Sequence, residues 1–237
     1  MKKTVVTDFA VPVLVAVILT FLIALTNADL AIEKLLYSPE KGWFMSQDTP
    51  WRLLYDYGNI PAIILSVAGF VILVLGFFRK QLRPYRKISL FLVIFMILGP
   101  GLVINTIFKD HWGRPRPADI VDFGGKQTFH QVWEMGQSLQ GKSFPSGHAS
   151  VGFFLFSPFF FLRKTSRRQA FSFLCLGIFY GTLMGIGRMI QGGHFLSDVV
   201  WSGTLTYLTG LMLCYIFRFD RNAEQVWISI SKEKSID

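Results

Sequence analysis

Charge is scarce in this 237-residue chain. Asp, Glu, Lys and Arg make up 16% of it, against about 25% in an ordinary soluble domain. Cysteine is scarcer still: Cys175 and Cys214 are the two, each inside an apolar run. Without partners at metal-ligand spacing they argue against a disulfide framework or a zinc site, and read as buried free thiols. Internal repeats and low-complexity linkers are missing as well. The abundant residues are apolar: 51% of the chain is hydrophobic, Phe alone occurs 24 times, and mean hydropathy is +0.43. That composition excludes a disordered chain. The charges are unequal, 24 Lys and Arg against 15 Asp and Glu, for a net +9. A soluble protein with that excess would suggest nucleic acid. In a chain this apolar the excess belongs in the loops of a membrane protein, and no nucleic-acid partner is expected.

A membrane-spanning helix needs about 20 mostly apolar residues. Six runs qualify as spans of a single membrane domain, 1–237: 9–26, 60–78, 88–108, 146–162, 170–187 and 197–217. The fourth is short and reaches its length only by including Ser146 to His148. The first follows Lys2 and Lys3, and exceeds the 7–15 residues usual in a signal peptide; an uncleaved helix is expected.

Loop charge gives the orientation. Basic residues crowd the 79–87 and 163–169 loops, the N-terminus (Lys2, Lys3) and the C-terminal tail (Arg218, Arg221, Lys232, Lys234). With six spans these four segments share one side, which the positive-inside rule makes cytoplasmic. The fold class expected is an all-α, six-helix membrane bundle in the inner membrane, with both termini cytoplasmic. Segments 27–59, 109–147 and 188–198 then face outward, to the periplasm. The first of these mixes acids with Trp43, Phe44, Trp51, Tyr55 and Tyr57, which suit a membrane–water boundary.

Three polar clusters fall on that outer side. One runs from Lys109 to Pro117 and holds Lys109, Arg114 and Arg116. Another, Phe144 to Ser150, places Ser146 as a helix N-cap, Gly147 where backbone can approach a ligand, and His148 just inside the helix. The last, Gly187 to Asp198, has Arg188, a Gly192-Gly193 turn, and His194 four residues before Asp198, a spacing that puts both on one helical face. Singly each has a bland explanation, such as a snorkelling cation or a capped helix. Together Lys109, Arg116 and Arg188, the imidazoles of His148 and His194 and the carboxylate of Asp198 make an inventory suited to phosphoryl transfer. No carboxylate cluster suggests a two-metal site, so neither metal nor cofactor is expected.

The sequence Lys109-x6-Arg116-Pro117, then Pro145-Ser146-Gly147-His148, then Arg188-x5-His194-x3-Asp198, resembles the three signature motifs of the type 2 phosphatidic acid phosphatase family. The resemblance covers the third to sixth spans. It implies that His194 attacks phosphorus, Asp198 orients His194, and His148 protonates the leaving oxygen. Lys109, Arg116 and Arg188 would hold the phosphate, with backbone N–H groups of Ser146 and Gly147. One departure stands out: Gly187 occupies a position where the family usually has Ser. Arg114-Pro115 offers a second register for the first motif, but the family spacing from Lys109 selects Arg116.

The expectation is therefore a metal-independent lipid phosphatase. Its substrate would be a phosphomonoester or pyrophosphate of an envelope lipid: lipid A, undecaprenyl pyrophosphate, phosphatidylglycerol phosphate or phosphatidic acid, the first two favoured. The 119–141 stretch, with Phe123 and Trp133, is expected to help select it. The competing classes are a transporter or channel and a silent membrane scaffold. Spans nearly free of ionisable residues speak against a polar pathway. Sequence leaves the oligomeric state open.

Overall fold

The computed structural model describes residues 2–138 and 140–219, without the side chains of residues 2–4. The tail cations Arg221, Lys232 and Lys234 lie outside these residues, while Arg218 is within them. Among the described residues ten α-helices follow in chain order: α1 (Lys2–Leu25), α2 (Ala28–Leu36), α3 (Trp51–Tyr57), α4 (Ile60–Phe78), α5 (Arg86–Met96), α6 (Lys109–Trp112), α7 (Gly147–Phe153), α8 (Ser157–Leu162), α9 (Arg167–Ile190) and α10 (Leu196–Ile216). No strand occurs among the described residues.

Among the described residues five helical stretches are long and apolar enough to cross a membrane: Val5–Leu25, Trp51–Phe78, Lys80–Asp119, Arg167–Ile190 and Leu196–Ile216. The fourth predicted run corresponds to a shorter apolar helix, Gly147–Leu162, formed by α7 and α8 joined through a tight turn at Phe154–Phe156. Outward faces of the long helices stay apolar, as at Phe21, Phe77 and Phe78, where a bilayer rather than water is the solvent. Cys175 sits on such an exposed face, contrary to the expectation of two buried thiols, while Cys214 is buried.

Phenylalanine builds the interior. Phe91, Phe95, Phe154, Phe156 and Phe160 are fully buried or nearly so; most meet edge-to-face or tilted, as at Phe95–Phe160 (5.8 Å, 83°), while Phe95 stacks on Phe156. Helix α9 comes close to its neighbours along a small-residue stripe. A side chain at Gly177 would strike Phe156, at Gly181 the ring of Phe153, and at Gly185 Val199. Without a hydrophobic drive between helices in lipid, such close backbone approach is a main source of association.

Two polar networks mark the ends of the bundle. At one end Asp8 of α1 accepts from Tyr215 (2.6 Å) and Arg163 (3.1 Å), tying together the start of α1, the end of α8 and the end of α10. At the other end Asp29, just beyond α1, reaches the start of α10. The three polar clusters gather at this second end.

Candidate active site

Helix α5 continues as a π-helical stretch, Ile97–Phe108, around Pro100. Proline lacks an amide hydrogen, so the regular ladder breaks there. Asn105 repairs it by donating its side-chain amide to the Pro100 carbonyl at 2.6 Å. The same side chain accepts from Lys109 Nζ (3.3 Å), which holds the ammonium over the start of α7. A Cβ at Gly147 would strike Asn105 Oδ1 and lie 3.1 Å from that ammonium, so glycine is what admits the Asn105–Lys109 pair.

Ser146 caps α7: its hydroxyl accepts from the Ala149 N–H at 3.4 Å. His148 follows, half-buried, and its ring stacks on Tyr55 of α3 (5.2 Å, 18°). Arg188, near the end of α9, lies with its guanidinium carbon 4.7 Å from the centre of the same Tyr55 ring. Arg188 also bonds Gln191 through Nη1, and its other terminal nitrogen leans against Gly193. The turn that permits this has Gly192 at φ +63°, a left-handed conformation suited to glycine.

His194 differs in placement from the sequence expectation. It precedes α10 rather than lying on it, and it does not bond Asp198 directly. Its Nδ1 is 2.5 Å from the Ser143 carbonyl, while the Asp198 carboxylate is 3.9 Å away. A carbonyl can only accept, so Nδ1 carries the hydrogen and Nε2 keeps its lone pair. Burial holds this imidazole well below its ordinary pKa of 6.5, assisted by Lys109, Arg188 and Arg116, with the Ser143 bond opposing. The ring is therefore neutral at pH 7. Lys109, Arg116 and Arg188 also face His148 electrostatically, so the three cations surround both imidazoles. The Nε atoms of Arg116 and Arg188 are buried without a hydrogen-bond partner among the described residues.

Arg114 goes elsewhere. Fully buried, it donates to the His130 carbonyl (2.9 Å), Ser197 Oγ (2.8 Å), Asp198 (2.6 Å) and Asp29 (2.9 Å). All its nitrogens are thus committed away from the imidazoles, which leaves Arg116 as the guanidinium of the first motif. Asp198 also accepts from Ser143 Oγ (2.6 Å) and the Phe195 N–H (2.8 Å). Beneath lies Glu33 of α2, completely buried, its pKa pushed up to about 10 by burial and then by Asp29 and Asp198. Among the described residues no group of three or more His, Cys, Asp or Glu is arranged to hold a metal ion.

The family profile of the PAP2 superfamily matches residues 88–222, α5 to the end of α10. The chain belongs to the PAP2 superfamily. Its similarity to a lipid A 4'-phosphatase of Francisella tularensis subsp. novicida is 33% identity over 192 residues, covering 80% of this chain and 86% of the relative. A lipid A 4'-phosphatase of Rhizobium leguminosarum is 33% identical over 120 residues, about half of each chain. A phosphatidylglycerophosphatase B of Bacillus subtilis is 24% identical over 170 residues, 68% of this chain and 73% of the relative. No solved structure matches. This PAP2 protein is thus a phosphoric ester hydrolase, a transmembrane enzyme of lipid metabolism.

Several residues of the site escaped the sequence reading. Tyr55 was legible only as an interfacial aromatic. Asp29 and Glu33 counted merely as outer-segment acids, and Ser143 stands just before the second cluster. Phe123 packs in a small core with Ile120 and Phe195. Trp133 lines an apolar groove instead.

Proposed function

We propose that this enzyme removes phosphate from lipid A or a closely related glycolipid, through a phosphohistidine on His194. The observation that carries the chemistry is the neutral His194, with Nε2 free and Lys109, Arg116 and Arg188 around it. Nε2 attacks phosphorus, and the bond from phosphorus to the lipid oxygen breaks. The bound phosphate anion offsets the cations that otherwise disfavour a charged His148; His148 then gives its proton to that oxygen and takes one from the water that cleaves the phosphorus–nitrogen bond, releasing inorganic phosphate. The three cations neutralise the equatorial oxygens, with N–H groups of Ser146 and Gly147 beside them. Asp198 favours the charged ring through Ser143 and by its field at 3.9 Å. Every step uses side chains of the chain itself.

The substrate reading draws support from the Francisella relative, whose similarity extends over most of both chains. Two cavities suit such a lipid. A polar one of about 360 Å³ lies against Arg188, lined also by Gln47, Arg52, Tyr55, Asp56 and Gln191, and would take the sugar headgroup. An apolar groove of about 320 Å³, lined by Phe21, Phe108, Trp112, Phe144 and Trp201, starts one residue from Lys109 and would take an acyl chain. With six spans and the basic loops inside, the site opens to the periplasmic side of the inner membrane.

The test is phosphate release from purified lipid A, undecaprenyl pyrophosphate, phosphatidylglycerol phosphate and phosphatidic acid, each with and without chelator. The reading expects the highest kcat/KM on lipid A, unaffected by EDTA. A preference for a glycerophospholipid would overturn the substrate, and strict magnesium dependence would overturn the metal-free chemistry.

A further inference from the structure

We propose that Asp29, on a helix outside the region the family profile matches, is a positioning residue for the nucleophile. Through Arg114 it fixes Asp198 and Ser143, and it leaves one uncompensated negative charge behind His194. The proposal rests on His194 being the nucleophile of the reaction proposed above, whatever the lipid.

Asp29 receives the Ser197 N–H (2.9 Å), the Ser197 hydroxyl (2.6 Å) and Arg114 Nη2 (2.9 Å). Asp198 receives Arg114 Nη1 (2.6 Å), Ser143 Oγ (2.6 Å) and the Phe195 N–H (2.8 Å). Each carboxylate accepts from three donors and donates to none. Two carboxylates share one guanidinium, so this buried network carries a net charge of one negative unit. Glu33, the third acid, adds nothing because burial and its two acidic neighbours keep it protonated at neutral pH.

Ser143 joins that charge to the nucleophile. Its hydroxyl donates to Asp198 and its carbonyl accepts from His194 Nδ1. When Nε2 bonds phosphorus the imidazole becomes cationic, and a fixed negative charge behind it is stabilising only from that point on. Without Asp29, Arg114 and Asp198 would cancel, and His194 would face only the field of Lys109, Arg116 and Arg188. The anchor comes from α2, which belongs to the part of the chain the family profile does not reach.

The decisive variant is Asp29→Asn in the full-length protein, which keeps shape and removes the charge. Expected is a fall in kcat of about 10- to 100-fold with KM within about twofold, the range for losing a group that supports a reacting one. His194, relieved of a negative neighbour, should titrate at lower pH, and the acid limb of the kcat profile should move with it. Histidine-labelled NMR reads that titration directly, even if none of the lipids is a substrate. Inactivity of the wild type on every lipid would sink the lipid reading alone, while an unmoved His194 titration would sink the role of Asp29. Should Asp29→Asn fail to fold, Ser143→Ala and Ser143→Thr replace it. The account expects a kcat-specific loss in the first and recovery in the second; wild-type turnover in Ser143→Ala would overturn it.

Discussion

The phenol ring of Tyr55 lies 5.2 Å from the imidazole of His148, nearly parallel to it. The guanidinium of Arg188 rests 4.7 Å from the centre of the same ring. One residue of α3 thereby touches both the proposed acid and a proposed phosphate-binding cation. Stacking and cation–π contacts are each worth roughly 0.5–1.5 kcal/mol. Tyr55→Leu should therefore lower kcat about tenfold, most for lipids with poor leaving groups, which need the acid in place. Tyr55→Phe keeps both ring contacts and should retain most activity. Equal losses in Phe and Leu variants would assign the effect to the hydroxyl instead.

Arg188 separates a phosphate contact from a simple membrane anchor. Replacement by Lys keeps the charge and loses the planar fork. If the fork meets the equatorial oxygens, Arg188→Lys should reduce kcat by about 2–4 kcal/mol of transition-state stabilisation. Arg163, which pairs with Asp8 at the other end of the bundle, serves as the control. Arg163→Lys should leave turnover near the wild-type value. The Gly187→Ser change should be mild, since a Cβ there meets Leu54 and Trp51 only at 3.9 Å, toward α3. Steady-state kinetics on one lipid phosphate, with circular dichroism for folding, checks all three.

Glu33 carries a stability signature with a definite sign. Its pKa in the fold is about 10 against an ordinary 4.5. Between those values the unfolded chain releases the proton and the folded chain keeps it. Folding stability is thus highest below the unfolded pKa and is lost as pH rises, by up to about 1.4 kcal/mol per pH unit. Glu33→Gln abolishes the penalty. The variant should melt at a higher temperature than wild type at pH 8, and the gap should close toward pH 4.5. A gap independent of pH would mean Glu33 is ionised in the fold.

Much of this was legible in the sequence because membrane helices and signature spacings are strong local signals. The apolar runs fell on the helices, and the three clusters came to one end of the bundle. Cys175 was misplaced because an apolar neighbourhood in a membrane protein can face lipid as well as core. The spacing of His194 and Asp198 suggested a shared helical face, yet α10 starts between them, and Asp198 spends one oxygen capping it. Local spacing cannot reveal that Asp29 meets Asp198 through Arg114, 85 and 84 residues apart from it. Tyr55 was equally hidden, since a boundary aromatic and a ring stacked on an imidazole look alike in one dimension.

The central claim is a covalent phosphohistidine on His194. It is tested most directly by mixing the wild-type protein with radiolabelled lipid A phosphate and quenching in acid-free medium within one turnover. Label should pass through the protein before it appears as inorganic phosphate. The account predicts a phosphoryl group stable to alkali, released by acid, mapping to His194 and absent from the His194→Ala protein. Single-turnover release of inorganic phosphate with no labelled protein, or label on another residue, would contradict it.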